Sequence, residues 1–148
     1  MRILLLSGPN LGMLGHRDPD VYGTATLDEL VDVARTAAAA HGAELDHVQH
    51  DAEADLVAVL HAVVREERPG DAVIVNAGAL THYGLSLRDA LELVRVPCIE
   101  LHLSNTLARE EFRHTSVIGG VCDGTIAGFG AHGYRLAVDA AVALVDGR

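Results

Sequence analysis

Uninterrupted apolar runs alternate along this chain with segments whose apolar positions recur every three to four residues. Arg2–Ser7 (RILLLS) is of the first kind, a buried strand halted by the turn residues Gly8, Pro9 and Asn10. Leu11–Thr26 has no apolar period and contains Gly12, Gly15, Pro19 and Gly23, so it reads as a long loop. Thr26 with Glu29 three residues later predicts a capped helix through Leu27, Leu30, Val31, Ala34 and Ala38 to His41-Gly42. A second strand follows over Ala43–His50, then a helix from about Asp51 to Arg68 with Leu56, Val59, Leu60 and Val63 on one face. The alternation continues with strands at Asp71–Asn76, Pro97–Leu103 and Asp123–Gly130, and with helices at Leu85–Arg95 and Gly133–Val145. It predicts one α/β domain over 1–148, a flavodoxin-like, doubly wound five-stranded parallel sheet with helices on both faces. In such a sheet, ligands bind at the carboxyl ends of the strands.

Polar groups gather at those ends. Asn10 follows the first strand, and the loop behind it carries Arg17 and Tyr22; Asn76 ends the third strand, with His82 just beyond. On the fourth strand Glu100 and His102 share one face with Ser104, and Arg109 and Arg113 follow four residues apart, the spacing of one face of a short helix. Each residue has an ordinary alternative reading. Asn10 is a common turn residue, His82 suits a structural histidine, and Glu100 and His102 can simply satisfy each other. Arg109, Glu110 and Arg113 also fit a solvated charged face, and Tyr22 fits loop packing. Their convergence on one edge is what favours a site.

Composition narrows the chemistry. All 11 basic residues are Arg, so an imine-forming enzyme, a pyridoxal phosphate enzyme and a Walker-type NTPase are excluded for want of a lysine. A net charge of −10 leaves no basic stripe for nucleic acid, while a small anion remains acceptable if arginines cluster locally. No apolar run approaches the ~18 residues of a membrane span, and MRILLLSGPN is too short in its apolar part for a signal peptide. Cys98 and Cys122 read as buried free thiols, and the expected setting is cytoplasmic. His47 with His50, or Glu100 with His102, offer metal-ligand pairs without a third ligand at tight spacing, so no metal is expected. GPNLGMLG matches no phosphate-binding loop.

The segments GPNLGMLGHRDPDVYG (8–23), NAGALTH (76–82), LRDAL (87–91), ELHLSN (100–105), AREEFRH (108–114) and GTIAGFGAHGY (124–134) resemble, in order, the type II 3-dehydroquinate dehydratases. The resemblance implies trans-elimination of water from 3-dehydroquinate to 3-dehydroshikimate through an enolate, without cofactor or metal. That step serves the shikimate pathway to aromatic amino acids, or quinate catabolism. It also implies homotrimers, commonly four to a dodecamer. By the same resemblance Tyr22 is the proton acceptor, Arg17 stabilises the transition state, Asn10 helps hold the enolate oxygen, and His102 is the proton donor, oriented by Glu100. A free phenol titrates near ~10, so a phenolate base needs a cation beside it. Asn76, His82, Leu103, Ser104 and Arg113 are implied to bind substrate, and Asp89 to reach a neighbouring subunit's site. Arg109 is implied to contact the mobile lid formed by the loop at about 11–26.

The chain departs from the family pattern at Tyr83 and Gly84, beside His82, and at QHDAEA (49–54), after the second strand. Two other readings stand beside the enzyme: a non-catalytic paralogue that binds a quinate-like ligand, and a flavin or nucleotide binder. The latter is disfavoured by the 3% aromatic content and the missing phosphate loop.

Overall fold

In the first strand successive side chains leave opposite faces of the sheet, so Ile3 and Leu5 enter one core while Leu4 and Leu6 enter another. The computed structural model describes residues 1–68 and 70–147. Five strands, β1 (Arg2–Ser7), β2 (Glu44–Gln49), β3 (Ala72–Asn76), β4 (Cys98–His102) and β5 (Gly124–Ala127), form a parallel sheet in the order 2-1-3-4-5. One face is covered by α2 (Leu27–Ala40) and α5 (His132–Asp146), the other by α3 (Glu53–Val64) and α4 (Leu85–Leu93). This is the flavodoxin-like α/β arrangement. Strand order reverses between β1 and β3, which makes their carboxyl ends the natural crevice.

α2 begins where its cap dictates. Thr26 closes the expected capping box on α2: its Oγ1 accepts from the Glu29 N–H at 3.3 Å, and Glu29 accepts from the Thr26 N–H at 2.8 Å. Several elements end earlier than the periodicity predicts. The second helix of the periodic pattern is expected to reach Arg68, but as α3 it stops at Val64, because Glu66 turns into the left-handed region at φ 59°. α4 stops at Leu93 rather than Arg95, where Val94 becomes extended. β5 stops at Ala127 rather than Gly130, because Gly128 (φ 91°) and Gly130 (φ 54°) adopt conformations that end an extended run. The loop at 11–26 is less irregular than expected. It holds a 3-10 turn at Leu11–Met13 and a one-turn helix, α1 (Pro19–Tyr22), opened by an Asp18 cap.

Gly84 precedes α4 and has no side chain to cap it, yet the helix start is capped from elsewhere. Glu53, at the first turn of α3, accepts a hydrogen bond from the Leu87 N–H at 2.9 Å. A Cβ at position 84 would lie 2.7 Å from the Leu80 carbonyl oxygen and 3.3 Å from the Glu53 carboxylate, so the glycine admits both neighbours. Removing this cap costs about 1 kcal/mol on the scale of helix caps. Glu53→Ala should therefore lower Tm in a thermal melt by about 3 °C. An unchanged midpoint would mean that solvent satisfies the start of α4 equally well.

Candidate active site

At the switch point the exits of β1 and β3 press together. The Gly8 N–H donates to the Asn76 carbonyl at 2.8 Å, and a Cβ on Gly8 would collide with the Ala77 carbonyl. Gly78 sits at φ +57°, and a Cβ there would approach the Pro9 oxygen to 2.9 Å. Only glycine fits either position. The chain then turns at Asn10, itself left-handed at φ 64°. Its backbone N–H is held by Asp51 Oδ1 at 2.9 Å, and the same oxygen accepts from Gln49 Nε2 at 3.0 Å. Asp51 belongs to the departing QHDAEA segment, and sequence reading assigned it no role.

Beyond these turns lies a cavity of about 160 Å3. Asn10, Asn76, His82, His102, Leu103 and Ser104 line its strand side, and Arg17, Tyr22, Arg109 and Arg113 line the side formed by the two loops. The arginines at 109 and 113 do not share one helix face as the spacing suggests: Arg109 is extended just after the 3-10 turn Thr106–Ala108, and Arg113 ends a second turn, Glu111–Arg113. Two of the singled-out residues lie outside the cavity lining. Glu100 stands behind His102. Asp89, on α4, has its side chain 74% exposed and pairs with Arg88 at 3.2 Å. Three arginines and no carboxylate occur among the described residues that line the cavity, so it is locally cationic within an acidic protein.

Tyr22 Oη is gripped from two directions. Arg17 Nη2 and Arg109 Nη2 each donate to it at 2.8 Å. The Arg17 guanidinium also lies 3.9 Å from the ring centre, and that of Arg109 5.0 Å. Two charged donors on one phenol oxygen stabilise negative charge there. Arg109 donates from its other terminal nitrogen to Ser104 Oγ at 3.3 Å, tying the segment after β4 to the loop after β1.

His102 is set by what lies behind it. Glu100 is 1% exposed, and its Oε1 lies 2.6 Å from His102 Nε2. The carboxylate also accepts from Ser116 Oγ at 2.8 Å and Thr125 Oγ1 at 3.2 Å. Burial would raise the Glu100 pKa, but the hydrogen bonds from His102, Ser116 and Thr125 outweigh it and hold the carboxyl below its ordinary value. An ionised carboxylate only accepts, so the hydrogen-bond network assigns the Nε2–H to Glu100 and leaves His102 Nδ1 to exchange a proton. His82 is fixed in the opposite sense: its Nδ1–H donates to the Thr115 carbonyl at 2.8 Å, which leaves Nε2 for a ligand. Asn76 is anchored by Tyr134, to whose Oη its Nδ2 donates at 3.1 Å. Burial, partly offset by that bond, pushes the Tyr134 phenol up to about 12, so it is a neutral structural hydroxyl.

Sequence reasoning missed Tyr134, Ser116 and Thr125. Tyr134 closes the GTIAGFGAHGY segment, but its hydroxyl meets Asn76 only through the packing of α5 on the sheet. Thr125 faces Glu100 by strand register, which the sequence does not display. As for metal ligands, His47 is directed at Ser7 Oγ at 3.0 Å and His50 at Asp55 at 3.9 Å. No group of three or more His, Cys, Asp or Glu that could hold a metal ion occurs among the described residues.

The model of the family described as dehydroquinase class II matches residues 1–142. The chain belongs to the class II dehydroquinases. It is 52% identical over 139 residues to the 3-dehydroquinate dehydratase of Roseiflexus castenholzii, covering 94% of this chain and 87% of that one. Among solved structures it is similar to the type II dehydroquinase of Propionibacterium acnes, at 41% identity and a TM-score of 0.88, over 95% of this chain and 96% of that one. It is also similar to that of Butyrivibrio crossotus, at 36% identity and a TM-score of 0.91, over 96% and 97% of the two chains. Family and topology thus agree on the fold.

The buried carboxylate makes this site sensitive to acid. A folded-state pKa below the unfolded one means that Glu100 contributes its full stability above the ordinary carboxyl range near ~4.3. That contribution is lost as pH falls through the lower folded value. Glu100→Gln should melt below wild type at pH 7, with the Tm gap narrowing as pH drops toward ~3. A gap that stays constant over that range would show that packing, and not charge, is what Glu100 supplies.

Proposed function

We propose that this chain dehydrates 3-dehydroquinate to 3-dehydroshikimate by a stepwise, cofactor-free trans-elimination. Tyr22 removes the C2 proton, the resulting enolate is stabilised by Arg17 and by a water held at Asn10, and His102 protonates the departing C1 hydroxyl. The observation that carries this reading is the double guanidinium grip on Tyr22 Oη, 2.8 Å from each arginine, on a cavity that also presents His102. It supplies an oxygen that can accept a proton in the same cavity as an imidazole that can give one. Without that second proton the leaving group would be hydroxide. Glu100 keeps the imidazole oriented and stabilises its cationic form.

Asn76, His82 and Arg113 would hold the ring hydroxyls, and Leu103 and Ser104 the carboxylate. The local excess of arginine supports an anionic substrate. The loop at 11–26 acts in this reading as a lid, with Arg109 as its latch on Tyr22. Asp89 lies outside the lining of its own cavity and is exposed, which supports a role at a neighbouring subunit's site in a trimer. Exposed Tyr83, Leu85 and Leu93 around α4 give such a contact an apolar surface. Sedimentation should then report a particle of three chains or a multiple of three. A reducing cytoplasmic setting belongs to the same reading, supported by two cysteines present as thiols.

The deciding experiment mixes purified protein with 3-dehydroquinate in the presence of a metal chelator and follows the ultraviolet absorbance of the enone carboxylate. Prompt, chelator-resistant product formation is expected. A folded oligomer that binds a quinate analogue without forming product would instead make it a binding paralogue. Tyr22→Phe should keep its fold and lose about 10³-fold or more in kcat; a substantial residual rate would mean that another group is the base. Arg17→Ala should lower kcat by about 10²-fold while weakening binding of a carboxylate-bearing analogue far less. The reverse split would make Arg17 a binding residue only.

A further inference from the structure

At the opposite end of β4 from His102, two thiols meet that the elimination chemistry does not use. Cys98 opens the strand and is buried; Cys122, just before β5, is half-buried. Their sulfurs lie 3.4 Å apart. The backbone around them is held by two bonds between neighbours: the Cys98 N–H donates to Asp123 Oδ2 at 2.8 Å, and the Asp123 N–H donates to the Cys98 carbonyl at 2.8 Å. A bonded pair needs a separation of about 2.05 Å, so the two sulfurs are already within about 1.4 Å of it. The pair opens on a surface depression of about 290 Å3, lined also by Arg95, Gly120 and Val121, large enough for a small oxidant.

We propose that Cys98 and Cys122 form a redox site that closes to an intramolecular disulfide on exposure to a hydroperoxide. The half-buried Cys122 reacts first: its thiolate sulfur attacks the peroxide, an S–O bond forms, the O–O bond breaks, and hydrogen peroxide's second oxygen leaves as hydroxide, which takes up a proton. The hydrogen bond with Cys122 and burial push the Cys98 thiol up, so it waits as an S–H. Cys98 then gives up its proton and its sulfur attacks the Cys122 sulfenic acid. The S–S bond forms, the S–O bond breaks, and the oxygen departs as water. Two thiols have lost two electrons and two protons, and the peroxide has become two waters.

The consequence follows from what the closed ring encloses. Between the two cysteines run Glu100, His102, Ser104, Arg109 and Arg113, the part of the site built after β3. Closing a ring of about 25 residues restricts the unfolded chain, while the bond itself lies about 13 Å along the strand from His102. Oxidation therefore stabilises this arm of the protein and leaves turnover within about twofold.

The test exposes the reduced wild-type protein to hydrogen peroxide, alkylates the remaining thiols under denaturing conditions, and maps the peptides by mass. Expected are a loss of two hydrogens per chain, a Cys98–Cys122 cross-linked peptide, reversal by dithiothreitol, and a rise in Tm of about 10 °C. Cys122→Ser, treated alike, should show no rise. Two alkylatable thiols after exposure, a sulfinic acid at Cys122, or a disulfide joining two chains would each overturn the proposal. So would a cross-linked wild type whose Tm is unchanged or lower, or an equal rise in Cys122→Ser.

Discussion

A carboxylate is buried within the sheet, and the placement of His102 depends on how its charge is satisfied. Glu100 lies on β4 between β3 and β5, at 1% exposure, where an unpaired charge would cost several kcal/mol. Three donors meet that cost: an imidazole from the same strand, a hydroxyl from β5 and a hydroxyl from the segment after Arg113. The arrangement also constrains the backbone. Gly119 packs so tightly over the carboxylate that a Cβ there would lie 2.7 Å from Oε2, and its N–H donates to Ser116 Oγ at 2.8 Å. The imidazole is therefore rigid for the same reason the charge is tolerated, because every group that neutralises Glu100 also restrains its neighbours.

The opposite side of the cavity is built on different physics. Tyr22 comes from a single helical turn that could not persist alone, since isolated helices shorter than about 12 residues are marginal in water. Its segment is anchored at both ends, by Leu11 and Leu14 buried in the core and by the Thr26 capping box, while the stretch between is mostly solvent-exposed. Tyr22 is held over the cavity by packing against the core that includes Leu27 and Leu30 and by the pair of charged hydrogen bonds, one from its own loop and one from beyond β4. One wall of the cavity belongs to the core, and the other leans on that core through Tyr22 and Ala25 and is completed by a few polar contacts.

These two kinds of construction explain what was legible in the sequence. β1 and β3 are continuous apolar runs, and the Thr26–Glu29 spacing has a local cause, so those elements and the sheet order follow from pattern and connection rules. Glu100 and His102, two apart on one strand, could be paired by spacing, whereas Arg17 and Tyr22 are joined through the family resemblance. Ser116, Thr125, Tyr134 and Asp51 could not be paired by spacing, because each meets its partner through strand register, helix packing or the course of a separate loop, which no local pattern encodes. Element ends were misjudged where a single backbone angle decided them, at Glu66 and at Gly128. Glu53 was invisible as a cap because the helix it caps lies 34 positions further on.

The electrostatics of the whole chain and of the cavity have opposite signs, and that sets how an anion can be recognised. With a net charge of −10, the protein's distant field repels an anionic ligand. At physiological ionic strength that field decays over about 8 Å, so the repulsion is weak where a ligand first approaches, and the three arginines dominate once it enters. Their attraction is therefore a contact interaction. The guanidinium groups are already oriented by Tyr22, Ser104 and Glu110, and long-range steering contributes little. Orientation by those partners restricts the guanidinium groups before any ligand arrives, so that less side-chain freedom remains to be lost on binding.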